Sequence, residues 1–164
     1  MPAEQKTADV FFAGRVTGSS TVRERGLAEL VALREKGIRI DIPDRPLPLD
    51  EYLARIARAW LTWSPEGFGY DCFRTYEAAI CGSVPILNRQ TIERYKPLRD
   101  GEHCFYYDIE QGNLAATIAR ALHDRDRLNT MALDAREFAL AEHTPAALAR
   151  HIAETTLRVA RAEA

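Results

Sequence analysis

Short apolar runs alternate with helical repeats over most of the chain. The apolar runs predict strands at 9–14, 38–42, 60–64, 84–88 and 104–108. Apolar residues spaced three and four apart predict helices at 22–36, 50–59, 72–81, 112–123, 125–141 and 145–162. Strands and helices that alternate in this way form a parallel sheet with right-handed crossovers. The pattern therefore predicts an α/β fold, a doubly wound parallel sheet of about five strands with helices on both faces and a helical C-terminus.

Four residues mark predicted helix ends. Gly37 is expected to end the first helix in the left-handed conformation. Asp50 is expected to cap the second helix. Thr144 and Pro145 separate the last two helices, with the threonine as cap and the proline in the first helical position. Thr144 and Pro145 thus predict a terminal helix at 145–162.

Composition and charge narrow the class of protein. The chain has 164 residues, of which 46% are hydrophobic and 28% charged, as expected for one soluble domain spanning 1–164. Its 22 basic and 24 acidic residues give a net charge of −2, which argues against a protein that binds nucleic acid through bulk charge. No apolar run approaches the roughly 20 residues of a membrane span. The first residues lack the apolar core of a signal peptide, so the sequence predicts a cytoplasmic protein.

The cysteines and histidines do not have the spacing of a metal site. The three cysteines form no C-x-x-C pair and are expected to be reduced thiols. The four histidines are scattered along the second half of the chain. We therefore expect no metal ligands and no bound cofactor.

Ligands of doubly wound sheets bind beyond the carboxyl ends of the strands. After the first predicted strand comes GRVTGSSTVRERG, at 14–26. Its glycines, hydroxyls and three arginines, at the start of a helix, suit an anion site. The loop has neither G-x-G-x-x-G nor G-K-[ST], so the sequence does not support an NAD site or a P-loop. The alternative is a flexible polar loop followed by a solvated helix face.

The loop after the third strand, SPEGFGYDC at 64–72, carries a second set of ligand-site signals. Pro65, Gly67 and Gly69 predict a tight turn with backbone amides open to a ligand. In the helix that follows, Arg74 and Glu77 are three residues apart and share a face. They could form a surface ion pair. Because the surrounding helix is largely apolar, however, we expect the carboxylate to meet a polar ligand, for which the vicinal hydroxyls of a ribose are suited.

The same stretch resembles the donor-binding signature of GT-B glycosyltransferases. In SPEGFG…YEAAICGSVPIL, an E-G-F-G turn is followed by a helix with E-A-x-A-like spacing and a short P-I strand. FFAGR and RGL, at 11–15 and 25–27, are similar to the first strand and following helix of that domain. R-x-x-E at 74–77 resembles the bacterial family 1-like, spore-maturation-type group. The exostosin-like group shares part of that pattern.

The resemblance implies a Rossmann-like domain that binds the nucleoside diphosphate sugar, with UDP or GDP as its nucleotide. The enzyme would transfer the sugar to an acceptor. A GT-B enzyme has a second, N-terminal acceptor domain that is missing here, so the isolated chain is expected to be incomplete for catalysis. One departure concerns the two glutamates: Glu66 and Glu77 enclose ten residues, whereas the common pattern is E-x7-E.

The resemblance also implies roles for individual residues. Arg15 and Arg25 would hold the diphosphate, and Glu77 the ribose. Glu66 would be catalytic and face the sugar, while the loop at 43–47 would lie near the base. The expected donor-binding residues are Gly14, Arg15, Ser19, Ser20, Arg25, Gly67, Phe68, Gly69, Arg74 and Glu77.

Two other interpretations remain open at this point. One is a non-catalytic Rossmann-like binding or protein-interaction module. The other is a different doubly wound domain, of flavodoxin or receiver type, although a receiver needs an acidic cluster that these strand ends lack.

The terminal helix carries an apolar face that includes Leu148, Ile152 and Val159. We expect that face to pack on the domain's own sheet or to be buried in a homodimer.

Overall fold

The computed structural model describes residues 5–16, 18, 20–110 and 112–162. The strands in these ranges are β1 (Ala8–Phe11), β2 (Ile40–Asp41), β3 (Ala59–Trp63), β4 (Val84–Asn88) and β5 (Phe105–Tyr107). The α-helices are α1 (Thr21–Ala32), α2 (Leu49–Ala57), α3 (Phe73–Ile80), α4 (Leu114–Leu122), α5 (Arg125–Glu142) and α6 (Pro145–Ala162). A 3-10 turn, Leu33–Lys36, extends α1. The predicted element order is confirmed, and the predicted bounds differ by only a few residues.

The five strands form one parallel sheet in the order β2-β1-β3-β4-β5. In the register, Val10 pairs with Leu61, and Trp63 pairs with Ile86. From β1 the chain runs to one side to form β2 and then crosses to the other side to form β3. The strand order therefore reverses between β1 and β3, which is where doubly wound sheets open a ligand crevice.

Helices cover both faces of the sheet. On one face, α1 and α4 pack on Val10, Leu61 and Trp63. On the other, α2 and α3 pack on Phe11, and α5 packs on α3 and β4. The indole of Trp63 is fully buried and donates to the Tyr107 hydroxyl at 3.0 Å. This layering confirms the predicted Rossmann-like α/β fold.

The helix ends follow the sequence signals with one exception. Gly37 has φ 79° and ends the first helical segment in the left-handed conformation. The Thr144 hydroxyl accepts from the Ala147 amide at 3.2 Å, and Pro145 begins α6. The prediction that Asp50 caps α2 is wrong. Pro48, with φ −56° and ψ 151°, occupies the cap position, so Asp50 falls in the first turn, where the helix dipole still favours its charge.

The terminal helix packs on the domain only near its beginning. Ala147 is buried, and the His151 ring stacks on Tyr95 with 3.9 Å between centroids. The larger apolar side chains of the helix are nevertheless exposed, both near its beginning and beyond it: Leu148, Ile152, Leu157 and Val159. The expectation that this apolar face packs on the domain's own sheet is therefore wrong, because its residues are exposed and the helix contacts α5, whereas the homodimer stays a prediction.

Gly26 gives a stability prediction, because it sits in the middle of α1 directly against the core. A Cβ atom built there would lie 2.4 Å from Cζ2 of the buried Trp63. In an ordinary helix Gly→Ala stabilises by about 0.5–1 kcal/mol. At this position we expect Gly26→Ala to destabilise by about 1–3 kcal/mol, because the methyl group overpacks the core.

Urea unfolding of the two proteins measures that difference. The exposed Ala28 of the same helix supplies the control, since Ala28→Gly should cost only the helix-propensity difference of about 1 kcal/mol. A Gly26→Ala variant more stable than the parent would show that the α1–β3 contact is not tightly packed.

Candidate functional site

Two arginines lie buried at the switch point between β1 and β3. Arg23 is in the first turn of α1 and Arg74 in the first turn of α3. Their relative exposures are 6% and 7%. Among the residues that the structure describes, neither is within salt-bridge distance of a carboxylate. Because buried charges are normally paired, these two arginines mark a candidate anion site.

Arg23 joins the loops that follow β1 and β3. Its Nε donates to the Glu66 carbonyl at 2.9 Å, and its Nη1 donates to the Arg15 carbonyl at 2.8 Å. Burial and, secondarily, the positive charge of Arg74 lower the pKa of Arg23. The two charges therefore repel each other in the unliganded protein, and an anion between them would relieve that repulsion.

Arg74 is the less satisfied of the two. Its guanidinium lies over the Phe12 ring at 5.1 Å, and its Nη1 is 3.8 Å from the Cys72 sulfur. Its Nε is buried and has no hydrogen-bond partner among the described residues. A buried N–H group without an acceptor costs free energy. A ligand atom that accepts from this Nε would therefore contribute more binding free energy than one that accepts from a solvent-exposed arginine.

Two glycines make room for the guanidinium groups. A Cβ atom at Gly14 would lie 2.6 Å from Nη2 of Arg74, and one at Gly67 would lie 2.3 Å from Nη2 of Arg23. Both glycines were expected at the site as sources of open backbone amides. For Gly67 that expectation is corrected, because its amide donates to the Gly69 carbonyl at 3.0 Å and closes the turn.

Glu77 meets a tyrosine. The Tyr52 hydroxyl, on the neighbouring helix α2, donates to Glu77 Oε2 at 2.7 Å, and Glu77 is half-buried. Burial and this carboxylate raise the pKa of Tyr52, so it remains a donor. A carboxylate accepts about four hydrogen bonds, so Tyr52 orients Glu77 and leaves acceptor capacity for a ligand.

Glu66 is held by Asn88 at the end of β4. Asn88 Nδ2 donates to Glu66 Oε2 at 2.8 Å, and the Glu66 amide donates to Asn88 Oδ1 at 2.9 Å. The reciprocal pair fixes the side chain of Glu66, and the backbone carbonyl of the same residue accepts from Arg23. Asn88 was identified from the sequence only as a strand end.

The remaining predicted residues lie around the rim. The Arg25 side chain is 62% exposed and lies 3.7 Å from Glu110. Arg15 is exposed and contributes its carbonyl to Arg23. Ser20 caps α1 by accepting from the Val22 amide at 3.1 Å.

Two residues of the loop after β3 are also exposed at this rim, namely Phe68 and Gly69. Ser19, a predicted donor-binding residue, lies outside the described residues. The structure thus brings Gly14, Glu66, Gly67 and Arg74 together with Arg23, and leaves Arg25 and Phe68 at the periphery.

Arg23 was one of the three arginines expected to attract an anion, but it was not among the predicted donor-binding residues. The spacing of the residues along α1 indicates that the Arg23 side chain is buried. Arg23, Gly26 and Leu30 are three and four residues apart and are all buried on the face of α1 that turns to the core. Arg25 lies two residues on and faces solvent. An arginine in register with an apolar stripe is forced inward, which distinguishes it from its neighbours.

A cleft of about 640 Å³ lies elsewhere, beyond the edge strand β5. It is lined by arginines that already have acidic neighbours. Arg89 lies 3.2 Å from Asp100, and Arg94 lies 3.8 Å from Asp71. This cleft is therefore less suited to binding an anion than the buried pair is, despite its size.

The described residues contain neither a cluster of metal ligands nor a helix that could span a membrane. Within those ranges, no group of three or more histidine, cysteine or acidic side chains is placed to hold a metal ion. No helix in the same part of the chain combines the length and apolar character needed to cross a bilayer.

Residues 33–154 match the family model described as "Glycosyl transferase-like". No curated protein matches the chain significantly. The match includes α3, Arg74, Glu77 and the Glu66 loop, but it begins after Arg23.

Solved structures share the fold at low sequence identity. Sucrose-phosphate synthase (tll1590) from Thermosynechococcus elongatus is 17% identical with a TM-score of 0.67, over 99% of this chain and 47% of that one. TarM is 12% identical with a TM-score of 0.68, over 92% of this chain and 36% of that one. The C-terminal domain of a glycosyl transferase group 1 family protein (LpcC) from Francisella tularensis is 11% identical with a TM-score of 0.60, over 86% and 88%.

The chain thus spans less than half of the first two structures and most of the third, which is itself a C-terminal domain. The strand order 2-1-3-4-5 is shared with flavodoxin-like domains, so order alone does not separate the alternatives. The family model and the structural neighbours do separate them. The fold is that of the GT-B glycosyltransferases, and the chain belongs to the glycosyl transferase-like family.

Proposed function

We propose that the chain is the donor-binding domain of a glycosyltransferase and holds a nucleoside diphosphate sugar at the switch point. The observation that carries the proposal is the buried pair Arg23 and Arg74, which has no carboxylate partner among the described residues. A diphosphate supplies the missing negative charge in the form that arginine forks bind best.

The diphosphate is proposed to lie between Arg23 and Arg74. Both side chains project from the first turns of their helices, so two helix N-termini add their positive ends to the same place. Fixed positive groups aimed at the leaving diphosphate stabilise the charge that develops as the glycosidic bond breaks. This proposal replaces Arg15 and Arg25 by Arg23 and Arg74 as the main phosphate ligands, because only the latter are desolvated.

The ribose is proposed to bind Glu77. Arg74 and Glu77 are neighbours on α3, so a nucleotide can span them with its phosphates on the arginine and its sugar hydroxyls on the carboxylate. The hydrogen bond from Tyr52 holds the carboxylate in position. The base then extends towards α2 and the loop at 43–47. Uridine and guanosine nucleotides are both compatible with this placement.

Glu66 and Asn88 are proposed to face the transferred sugar, with Glu66 as the catalytic candidate. Asn88 ends β4 and Glu66 lies in the loop after the neighbouring strand β3, where the group beyond the second phosphate would lie. Their reciprocal hydrogen bonds give Glu66 a defined position in spite of the unusual spacing between Glu66 and Glu77.

The acceptor is proposed to bind a second domain. The chain matches a C-terminal domain over 88% of that domain's length, but covers only 47% of sucrose-phosphate synthase. Transfer requires donor and acceptor to be held in near-attack geometry, so the domain alone is expected to bind the donor without appreciable transfer. The second candidate is a non-catalytic binding or protein-interaction module. Failure of the chain to bind UDP or GDP would favour it over the donor-binding domain.

Glu77→Ala tests the ribose assignment. We expect UDP or GDP affinity to fall about tenfold or more, because a charged hydrogen-bond acceptor is lost. Pyrophosphate, which has no ribose, should bind the variant within about twofold of the parent affinity, because the arginine pair is intact. Calorimetric titration with each ligand measures both constants.

Tyr52→Phe is the matched control, since it keeps the carboxylate and removes only the hydroxyl that orients it. Its nucleotide affinity should fall by less than that of Glu77→Ala. Equal weakening of pyrophosphate and nucleotide by Glu77→Ala would contradict a ribose contact. Unchanged nucleotide binding would do the same.

A further inference from the structure

Cys72 lies between the two buried arginines. Its sulfur is 3.9 Å from Nη2 of Arg23 and 3.8 Å from Nη1 of Arg74. The residue is partly exposed and holds the cap position of α3, directly before the first helical turn. The thiol is therefore part of the candidate anion site and can be reached from its mouth.

A second, independent feature shows that this place is suited to a negatively charged group. Arg74 is more than nine-tenths buried, and its Nε has no hydrogen-bond partner among the described residues. Cysteines beside arginines and at helix N-termini are the class that reacts most readily in proteins. The surroundings of Cys72 combine both features.

Neither of the other two cysteines lies at a helix N-terminus. Cys104 is buried, and burial raises its pKa to about 12. Burial, followed by the charge of Glu77, also raises the pKa of Cys81, which lies at the C-terminal end of α3. A thiolate is disfavoured at both, so the chain contains two internal references for thiol reactivity.

We propose that Cys72 is a thiol-modification site that closes the anion site by forming a mixed disulfide with a small disulfide bearing carboxylates. The thiolate of Cys72 attacks one sulfur of the small disulfide and forms a new S–S bond. The S–S bond of the reagent breaks, and its other half leaves as a thiolate that takes up a proton. The small disulfide is the oxidant, and a dithiol reverses the step.

The carboxylates determine which disulfides react. They pair with Arg23 and Arg74, which steers an anionic reagent to the sulfur and holds the adduct in the space proposed for the diphosphate. The bound adduct then excludes the donor. This part of the inference rests on the proposed function, whereas the reactivity of Cys72 does not.

The test compares oxidised glutathione, which is anionic, with cystamine, a cationic disulfide, on the complete 164-residue chain. Peptide mass spectrometry follows the adduct at each cysteine over time. With oxidised glutathione we expect Cys72 to react about tenfold or more faster than Cys81 and Cys104. The anionic reagent should react about tenfold or more faster than the cationic one at Cys72, with a ratio that falls as salt is added. Pyrophosphate should slow the reaction.

The modified chain is then titrated with UDP and GDP, and again after reduction with dithiothreitol. Loss of nucleotide binding on modification, with recovery on reduction, is the expected result. Treatment with the reagent should leave the nucleotide affinity of Cys72→Ser at its untreated value, because that variant has no thiol to modify at this position, and Cys72→Ala serves if the serine variant does not fold.

Two results would overturn the proposal: cystamine reacting as fast as oxidised glutathione at Cys72, or an adduct at Cys72 that leaves nucleotide binding intact. The second leaves the proposed function standing. If the unmodified chain binds pyrophosphate but neither UDP nor GDP, the proposed function fails. In that case, a faster reaction of Cys72 with oxidised glutathione than with cystamine, and a slower reaction in the presence of pyrophosphate, would still show that Cys72 lies in an anion site.

Discussion

Replacing Arg74 by methionine is expected to weaken the binding of UDP, GDP and pyrophosphate about tenfold or more, without destabilising the unliganded protein. Arg74 is buried beside Arg23, its Nε is unsatisfied, and it has no carboxylate partner among the described residues. Methionine has a similar length, can pack on Phe12 and removes one of two repelling charges. Replacing poorly compensated buried charge by an apolar side chain is often neutral or stabilising. The loss of the cation–π contact between Arg74 and Phe12 reduces any such gain in stability by about 0.5–2 kcal/mol.

Calorimetry and thermal unfolding of the same preparations check both halves of this expectation. Arg25→Met is the control, because Arg25 is largely exposed, and it should change pyrophosphate affinity by less than about twofold. An Arg74→Met variant that binds pyrophosphate normally would remove Arg74 from the site. One that is several kcal/mol less stable would show that the arginine has a structural role.

Arg23→Met is expected to lower both affinity and stability, in contrast to Arg74→Met. Arg23 donates to the carbonyls of Glu66 and Arg15, so its loss leaves two backbone acceptors without their donor. We expect a loss of about 1–3 kcal/mol in the free energy of unfolding, together with a tenfold or greater loss of diphosphate affinity.

Arg23→Lys separates charge from geometry. It keeps the positive charge but cannot reproduce the fork that spans both carbonyls, so stability should stay below that of the parent. Some pyrophosphate affinity should remain, because a lysine still attracts phosphate as a point charge. Equal stability of Arg23→Met and the parent, measured by urea unfolding, would contradict the bridging role.

The fold could be predicted from the sequence because each of its signals is local. Buried strands show as short apolar runs, and their alternation with helical periods implies parallel pairing and crossovers. The position of the ligand crevice followed from the strand ends, without any knowledge of the contacts there. The cap of α2 was missed because Asp50 is of a residue type that caps helices, whereas the helix begins earlier, after Pro48, whose restricted φ of −56° suits a helix start.

The candidate site could be predicted only in part, because its contacts join distant positions. The pairs Tyr52–Glu77 and Glu66–Asn88 are separated by 25 and 22 residues. No periodic pattern in the sequence predicts contacts between side chains that are so far apart along the chain. Sequence analysis therefore identified Glu77 as a residue that needs a polar neighbour, but it could not name Tyr52. The phosphate-binding role was assigned to Arg15 and Arg25, whereas the register of α1 buries Arg23 and leaves Arg25 exposed.

The central claim is that a nucleoside diphosphate occupies the space between the two buried arginines. A crystal structure of the chain soaked with UDP or GDP tests it most directly. The account predicts phosphate oxygens within hydrogen-bond distance of the guanidinium groups of Arg23 and Arg74, and ribose hydroxyls on the carboxylate of Glu77. A nucleotide bound instead in the cleft beyond β5, or an empty arginine pair at a nucleotide concentration that saturates binding in solution, would contradict it.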